Sequence, residues 1–419
     1  MVSVPQPRVA RLRGDRAARP VAAPAASSTR DAITGVLLAP WCHMSLRSVL
    51  SACLLAAAVL ATACGGSTPS EPTSTPAPTP TPAPDVYVAG FGGNVAKVWK
   101  NGLATPLTDG TKESDAYSVA ISGSEVYVAG YESNGTHWVA KVWKNGVATP
   151  LTDGAWDGFA SSVAISGSDV YVAGCETSGT NIAKVWKNGI ATSLTHGSGN
   201  ACAWSVAVSG SDVYVAGVEG TVAKAWKNGV ATSLTDGTRE AAARSVAISG
   251  SDAYVAGYES TGTHPAADIW KNGVATPLTD GTQPSFAYSV VISGSDVYVA
   301  GAESNGTHRV AKVWKNGVAT SLTDGTQEAQ AYCMAVSGSE VYVAGYESNG
   351  THNVAKVWKS GVATSLTNGN QYADALGMAI SGGDVYVAGH ESSSARVWKN
   401  GVATSLAGDV ARSVLVKPH

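Results

Sequence analysis

Charged side chains, cysteines and long apolar runs are scarce in this chain, and each shortage excludes a class of protein. Aspartate, glutamate, lysine and arginine make up 14% of the 419 residues, and the formal net charge is -3. The repetitive part of the chain has no block of basic residues, which argues against nucleic acid as a partner. The longest apolar run, Val49 to Ala61, is shorter than the about 20 residues that a membrane-spanning helix needs.

The six cysteines are too few and too scattered for a disulfide framework. Three of them lie in the repetitive part of the chain, namely Cys175, Cys202 and Cys333. No Cys-x-x-Cys pair and no His/Cys metal spacing occurs, so we expect no metal site and no cofactor.

Residues 44–64 have the composition of an export signal. Arg47 precedes the apolar run, and the small residues Ala61-Thr62-Ala63 lead to Cys64. This arrangement resembles the lipobox of bacterial lipoproteins, which implies that Cys64 is lipidated and becomes the mature N-terminus in the cell envelope. An ordinary cleaved signal followed by a chance cysteine is the alternative.

The segments on either side of this signal contain no folding pattern. Residues 1–43 are rich in Arg, Ala and Pro, and we interpret them as a non-native upstream extension or, alternatively, a transit-type leader. Residues 65–84 are a Pro/Thr-rich linker, which reaches about 60 Å at about 3.1 Å per residue. The folded domain is therefore expected to be residues 85–419.

The phrase (Asp/Glu)-x-Tyr-Val-Ala-Gly occurs eight times at steps of 40 to 44 residues, beginning at residues 85, 125, 169, 212, 252, 296, 340 and 384. Each unit has four short β-type segments, and Asn-Gly joins the last two in seven of the eight units. Asn-Gly between apolar segments is a strong hairpin signal. A period of about 40–45 residues built of strands is typical of a propeller blade. The chain is therefore predicted to be all-β, as an eight-bladed propeller of four-stranded antiparallel blades.

The two ends of the repeat array complement each other. Residues 85–107 supply the second, third and fourth strands of a unit, and residues 411–419 supply a first strand alone. We therefore predict a ring closed by the C-terminal strand, which leaves no open sheet edge. A parallel β-helix fits less well, because its coils lack regular Asn-Gly hairpins.

The phrase "SVAISGSDVYVAG" followed by "AKVWKNG" resembles the repeats of NHL, kelch and WD propeller families. The resemblance covers residues 85–419 and concerns the fold alone, because the Gly-His and Trp-Asp signatures of WD repeats are missing. It implies a propeller without assigning a function.

Residues that are the same in every unit are interpreted as scaffold. One tryptophan per unit is expected to wedge between blades: Trp99, Trp143, Trp186, Trp226, Trp270, Trp314, Trp358 and Trp398. The lysine after each tryptophan is expected to pair with the acid that opens the second strand, so that Glu125 lies opposite Lys144.

Candidate binding residues lie where the units differ, on the face opposite the invariant hairpins. The residue two places before the Val or Met of each first strand is expected to rim the channel mouth, and it is Tyr117, Ser161, Trp204, Arg244, Tyr288, Tyr332, Leu376 or Arg412. Loop-base packing is the alternative. A second candidate set is a ring of glutamates just past the second strands, which includes Glu132, Glu259, Glu303 and Glu347; solvated loop charge is the alternative.

Cys175 and Cys202 are the one candidate disulfide, because they lie on adjacent units at the variable face. Cys333 is expected to be a buried thiol. The histidines of the four Gly-Thr-His loops have no obvious catalytic partner, so we expect a protein that is not an enzyme. The predicted function is a monomeric, envelope-anchored binding or adhesion propeller that presents multivalent loops to a glycan or protein ligand. The alternative is a secreted propeller enzyme, a glycan lyase or hydrolase, with its site at the channel mouth.

The lipoprotein prediction can be tested on the mature N-terminus. We expect export from Met44 to yield a chain that begins at a lipidated Cys64, since the signal is complete at 44–64. Mass spectrometry of the N-terminal peptide measures this, with Cys64→Ser as the control that should remain unlipidated. An unmodified mature chain that retains residues 1–43 would contradict the prediction.

Overall fold

The computed structural model describes residues 83–197 and 199–418. The upstream segment 1–43, the signal 44–64 with Cys64, and nearly all of the linker 65–84 lie outside the described residues. The described residues contain no helix that is long and apolar enough to cross a membrane. They form eight four-stranded antiparallel sheets, which confirms the predicted all-β propeller.

The first strand of each sheet touches the first strands of the two neighbouring sheets and so forms the inner wall of the ring. These inner strands are β4 (Ser114–Ser122), β8 (Gly158–Ser166), β12 (Ala201–Ser209), β16 (Ala241–Ser249), β20 (Ser285–Ser293), β24 (Ala329–Ser337), β28 (Ala373–Ser381) and β32 (Val410–Lys417).

The second strand follows each inner strand through a tight turn. The second strands are β1 (Asp85–Gly92), β5 (Glu125–Ser133), β9 (Asp169–Ser178), β13 (Asp212–Glu219), β17 (Asp252–Ser260), β21 (Asp296–Ser304), β25 (Glu340–Ser348) and β29 (Asp384–Glu391).

The third strands carry the invariant tryptophans. They are β2 (Val95–Lys100), β6 (Trp138–Lys144), β10 (Thr180–Lys187), β14 (Val222–Lys227), β18 (Pro265–Lys271), β22 (Arg309–Lys315), β26 (Asn353–Lys359) and β30 (Ser394–Lys399).

The outer strands are short, and all their residues are exposed. They are β3 (Leu103–Pro106), β7 (Val147–Pro150), β11 (Ile190–Ser193), β15 (Val230–Ser233), β19 (Val274–Pro277), β23 (Val318–Ser321), β27 (Val362–Ser365) and β31 (Val402–Ser405). We number the blades by their inner strands, so that blade 1 is β4–β7, blade 7 is β28–β31, and blade 8 combines β32 with β1–β3.

The hairpins between third and outer strands form because Asn-Gly accepts positive φ at both positions. Asn145 has φ 50° and Gly146 has φ 84°, as a type I′ turn requires. The Asn145 side chain also accepts a hydrogen bond from the Val126 N–H at 2.8 Å. The turn therefore fixes the third and outer strands and also ties them to the second strand.

Each invariant tryptophan packs between its own blade and the preceding one. Trp143 of blade 1 is fully buried with Tyr87 and Leu107 of blade 8. Trp186 of blade 2 likewise lies against blade 1 and donates its indole N–H to the Leu151 carbonyl at 2.8 Å. Burying one such ring contributes on the order of 4–6 kcal/mol. The tryptophans are therefore scaffold and not a ligand-stacking ring.

The ring closes as predicted, because β32 pairs with β1 in blade 8. A buried ion pair then joins this closing strand to blade 1. Arg412 donates from Nε to both carboxylate oxygens of Asp115 at 3.0 and 2.9 Å, and from Nη2 at 2.6 Å. The Phe91 and Tyr117 rings lie 5.3 and 5.1 Å from the guanidinium carbon. Residues 297 positions apart are thus held together at the point of closure.

In seven blades the lysine beside the hairpin pairs with the acid that opens the second strand, as Lys315 does with Asp296 at 2.7 Å. The predicted register was wrong in detail. Lys144 lies opposite Tyr127 and reaches diagonally to Glu125, at 3.3 Å, because β5 extends beyond the end of β6. These pairs are half exposed and contribute little to stability.

The ion pair at the point of closure can be tested by removing one partner. Asp115→Asn leaves the buried Arg412 without its counter-charge, and we expect the free energy of unfolding to fall by about 3–5 kcal/mol. Urea denaturation measures the change. The matched control Glu125→Gln, in an exposed pair, should cost less than about 1 kcal/mol. Equal effects of the two substitutions would contradict a special role for Asp115.

Candidate functional site at the channel mouth

A β-bulge interrupts every inner strand that the structure describes, at the same place in each unit. In blade 1 the register shifts between Ala116 and Ser118, so that Tyr117 is the extra residue. In blade 5 the extra residue is Tyr288. A bulge re-aims a side chain and is over-represented beside functional sites. The eight candidate ring residues of the sequence analysis are these eight bulge residues.

The bulge also explains why the second strand always carries glycine opposite it. A Cβ on Gly301 would lie 2.0 Å from the Phe286 carbonyl oxygen, and one on Gly345 would lie 1.9 Å from that of Gln330. No side chain fits there, so the glycine of the Tyr-Val-Ala-Gly phrase is required by the bulge on the neighbouring strand.

The bulge residues of neighbouring blades contact one another but do not form a uniform ring. Trp204 and Arg244 are 8% exposed each, with the guanidinium carbon 4.7 Å from the indole ring centre. Arg412 and Tyr117 belong to the contacts that close the ring. Tyr288 and Tyr332 are partly exposed, and their ring centres lie 6.0 Å apart. The candidate binding residues are therefore reduced from the whole ring to an arc of residues around blades 5 to 7.

The tyrosines of this arc are held as neutral hydrogen-bond donors. Burial raises the pKa of Tyr288, against the opposing charges of Arg309 and Arg244. Burial also raises the pKa of Tyr332 well above its usual value, and the nearby Asp374 carboxylate adds to the effect. Their phenol groups keep their protons at neutral pH and can donate to a ligand oxygen.

Blade 7 has a leucine at its bulge, and an acid–base pair lies next to it. His390 Nε2 lies 3.4 Å from Asp374 Oδ2, and Nδ1 lies 3.1 Å from the Ser392 carbonyl oxygen. The Asn353 amide donates to Asp374 Oδ1 at 3.2 Å. We call Tyr288, Arg309, Tyr332, Asp374 and His390 the blade 5–7 arc. Sequence reasoning missed the Asp374–His390 pair, although His390 is the one histidine at that place in the eight units.

Most glutamates of the predicted ring are paired with a basic side chain of their own blade. Six of its members form ion pairs with a lysine or arginine on the third strand of the same blade: Glu132 with Lys141, Glu176 with Lys184, Glu219 with Lys224, Glu303 with Lys312, Glu347 with Lys356 and Glu391 with Arg396. The side chains are mostly buried, as in the 17% exposure of both Glu219 and Lys224. Among the described residues, no group of three or more His, Cys, Asp and Glu side chains is placed to hold a metal ion.

The Gly-Thr-His loops are docked on the loops between blades. His137 Nδ1 lies 3.3 Å from Asp157 Oδ1, and its ring centre lies 6.3 Å from that of the exposed Trp156. His352 packs edge-on against Tyr372 at 4.8 Å. His137 thus has a carboxylate neighbour that its sequence offset did not indicate, because Asp157 lies in the next loop.

The candidate cysteines are joined across two blades. Cys175 on β9 and Cys202 on β12 form a disulfide, with their Cα atoms 4.9 Å apart. Cys333 is buried and keeps its thiol. In the other junctions the same two places hold other contacts, such as Tyr131 with Phe159 and Tyr258 with Phe286, whose ring centres lie 5.4 and 5.1 Å apart.

No family model matches the chain, and no curated protein matches it. Solved structures with similarity include Porphyromonas gingivalis dipeptidyl peptidase 4, at 10% identity and a TM-score of 0.47, with 77% of this chain and 59% of that chain covered. Pyrococcus horikoshii acylaminoacyl peptidase is similar at 13% identity and a TM-score of 0.36, with 59% of this chain and 47% of that chain covered. The chain spans less than two thirds of either protein.

The expectation that this chain is not an enzyme is corrected by this comparison. Both similar proteins are peptidases by name, so the exclusion of catalysis is withdrawn. The likeness assigns no reaction to this chain.

The disulfide at the junction of blades 2 and 3 can be tested by its removal. We expect Cys175→Ser with Cys202→Ser to lower the free energy of unfolding by about 3 kcal/mol, because the bond closes a loop of 27 residues. Guanidinium denaturation with and without reductant measures this. Cys333→Ser, which restores the residue of blade 1, is the control and should not respond to reductant. A wild-type protein that is equally stable when reduced would contradict the prediction.

Proposed function

We propose that this chain is an exported, lipid-anchored propeller that binds a glycan at the mouth of its channel, through the blade 5–7 arc. The single observation that carries the proposal is the bulge in every inner strand, which sets Tyr288 and Tyr332 of adjacent blades 6.0 Å apart at one end of the ring. The two residues are partly exposed and their rings are inclined at 61° to one another, so each can contact a different sugar ring of one glycan.

The polar groups around these tyrosines support a carbohydrate ligand. Sugar hydroxyls are both donors and acceptors, so a site for them needs both kinds of partner. The tyrosine hydroxyls and Arg309 supply donors, and the Asp374 carboxylate supplies acceptors. Arg309 also lies 3.5 Å from Glu328 Oε1, which holds its guanidinium beside the arc.

The path of the chain favours a binding face that points away from an anchor. The linker joins the domain at Asp85, which pairs with Lys100 at 2.8 Å on the face of the invariant hairpins. The bulges and variable loops lie on the opposite face. A lipidated Cys64 and an extended linker would therefore leave the channel mouth and its repeated loops accessible to a multivalent ligand.

The proposal is tested with a glycan array and titration calorimetry on the protein lacking its signal segment. Tyr288→Ala and Tyr332→Ala should each weaken binding of a recognised glycan about tenfold, the loss expected for one stacked ring. Ser161→Ala is the matched control, because it is the bulge residue of blade 2, across the ring from blade 6. Glycan binding that neither tyrosine variant weakens would contradict the site. If the chain binds a protein ligand and recognises no glycan on the array, the proposal of a glycan ligand would be contradicted.

A second candidate function is cleavage of the same ligand, and the Asp374–His390 pair favours it. An imidazole and a carboxylate beside a neutral tyrosine can exchange protons with a bound sugar. Release of new reducing ends would identify this activity. His390→Ala should then abolish cleavage while it preserves most of the binding.

A further inference from the structure

Blade 4 differs from the other blades in the identity of one buried, ionisable residue on its third strand. In blade 5 the third-strand residue opposite Gly301 is Lys312, which pairs with Glu303. The corresponding residue in blade 4, opposite Gly257, is Asp268. Blade 4 keeps the glutamate, as Glu259, so two carboxyl groups stand where six other blades have a glutamate and a basic side chain.

The surroundings of Asp268 supply little to offset this charge. Asp268 is only 7% exposed, and its neighbour on the outer strand is Pro277, which has no N–H to donate. The charged groups that act on the pair are the Asp236 carboxylate, which opposes ionisation of Glu259, and Arg239, which favours it. A backbone interaction with Glu259 favours the ionised form of Asp268, but burial outweighs it.

We propose that blade 4 is a proton-responsive element of the ring, in which Asp268 and Glu259 share a proton that keeps the β17–β18 hairpin closed at its variable-face end. When the proton leaves, two carboxylates repel one another in a largely buried place. The hairpin then loosens around its loop, residues 261–264. The proposal does not depend on the identity of any ligand.

The direction of the pH dependence follows from the proton affinity of the folded state. Burial, followed by the charge of Glu259, raises the pKa of Asp268 from 3.8 to about 7. The folded chain therefore binds this proton more tightly than the unfolded chain does. The stabilisation that this proton gives to the folded state is complete below the pKa of Asp268 in the unfolded chain. It is lost as pH rises from about 4 to about 7.

A change in the β17–β18 hairpin would reach the channel mouth through the side-chain contacts of one residue. Tyr258 precedes Glu259 on β17, and its ring lies 5.7 Å from the guanidinium carbon of Arg244, the bulge residue of the same blade. The same ring packs against Phe286 of blade 5 at 5.1 Å between centres. Loosening of β17 would therefore disturb the junction that supports Tyr288.

Thermal unfolding of the purified protein at pH 5 and pH 8 tests the proposal. The wild-type midpoint should fall by several degrees more between these pH values than that of Asp268→Asn, an isostere that cannot ionise. Asp268→Lys, which restores the sister-blade pair, should also remove the excess fall and raise the midpoint at pH 8. A wild-type protein whose pH profile runs parallel to that of Asp268→Asn would overturn the proposal.

Two further measurements distinguish a pH response located in blade 4 from a pH dependence of the stability of the whole domain. Lys312→Asp places the same acid pair in blade 5 and should create a second fall over the same pH range. Hydrogen exchange, corrected for intrinsic rates, should speed up at pH 8 in residues 258–271 of the wild type and stay constant in Asp268→Asn. The matched segment 302–315 of blade 5 should not change in the wild type. Equal behaviour of the two segments would overturn the location in blade 4.

Discussion

No blade of this protein buries its own tryptophan. Each of the eight indoles is covered by the preceding blade, as Trp143 is by Tyr87 and Leu107. The largest apolar contribution to folding is thus made at junctions and not within sheets. A sheet removed from the ring would expose its own tryptophan and uncover its neighbour's, so the ring has to close. Closure by β32 and the Arg412–Asp115 pair meets this requirement.

Neighbouring blades make one contact close to the channel mouth, and different junctions use different side chains for it. The contact joins the end of one second strand to the start of the next inner strand. The contact is an aromatic pair between blades 1 and 2 and a disulfide between blades 2 and 3. Where blade 8 meets blade 1, the two places hold Phe91 and Asp115, and the bulge residue Arg412 lies against both. Covalent, aromatic and ionic contacts thus join neighbouring blades in the same region of the repeat.

The proposed binding site lies where the blades depart from the repeat. The bulge presents one side chain per blade without a change in the sheet behind it, because glycine stands opposite. Blades 5 to 7 use this freedom for tyrosines and for an acid–base pair. Asp268 is a departure at a buried place, and there the lost lysine changes how the blade responds to protons.

Much of the architecture was determined by local chemistry that the sequence displays directly. Asn145-Gly146 requires its hairpin through positive φ, and the missing first strand before residue 85 and the spare one after residue 410 imply closure. The tryptophans and Cys175 with Cys202 could be placed from the same count of strands. Only the tertiary structure decided what the charged and aromatic residues face. The bulge shifts the inner strand by one residue, Lys141 reaches Glu132 across a strand pair, and Asp374 meets His390 across another. These contacts depend on register and on the neighbouring blade, because side chains that are distant along the chain are brought together by pairings that no local pattern encodes.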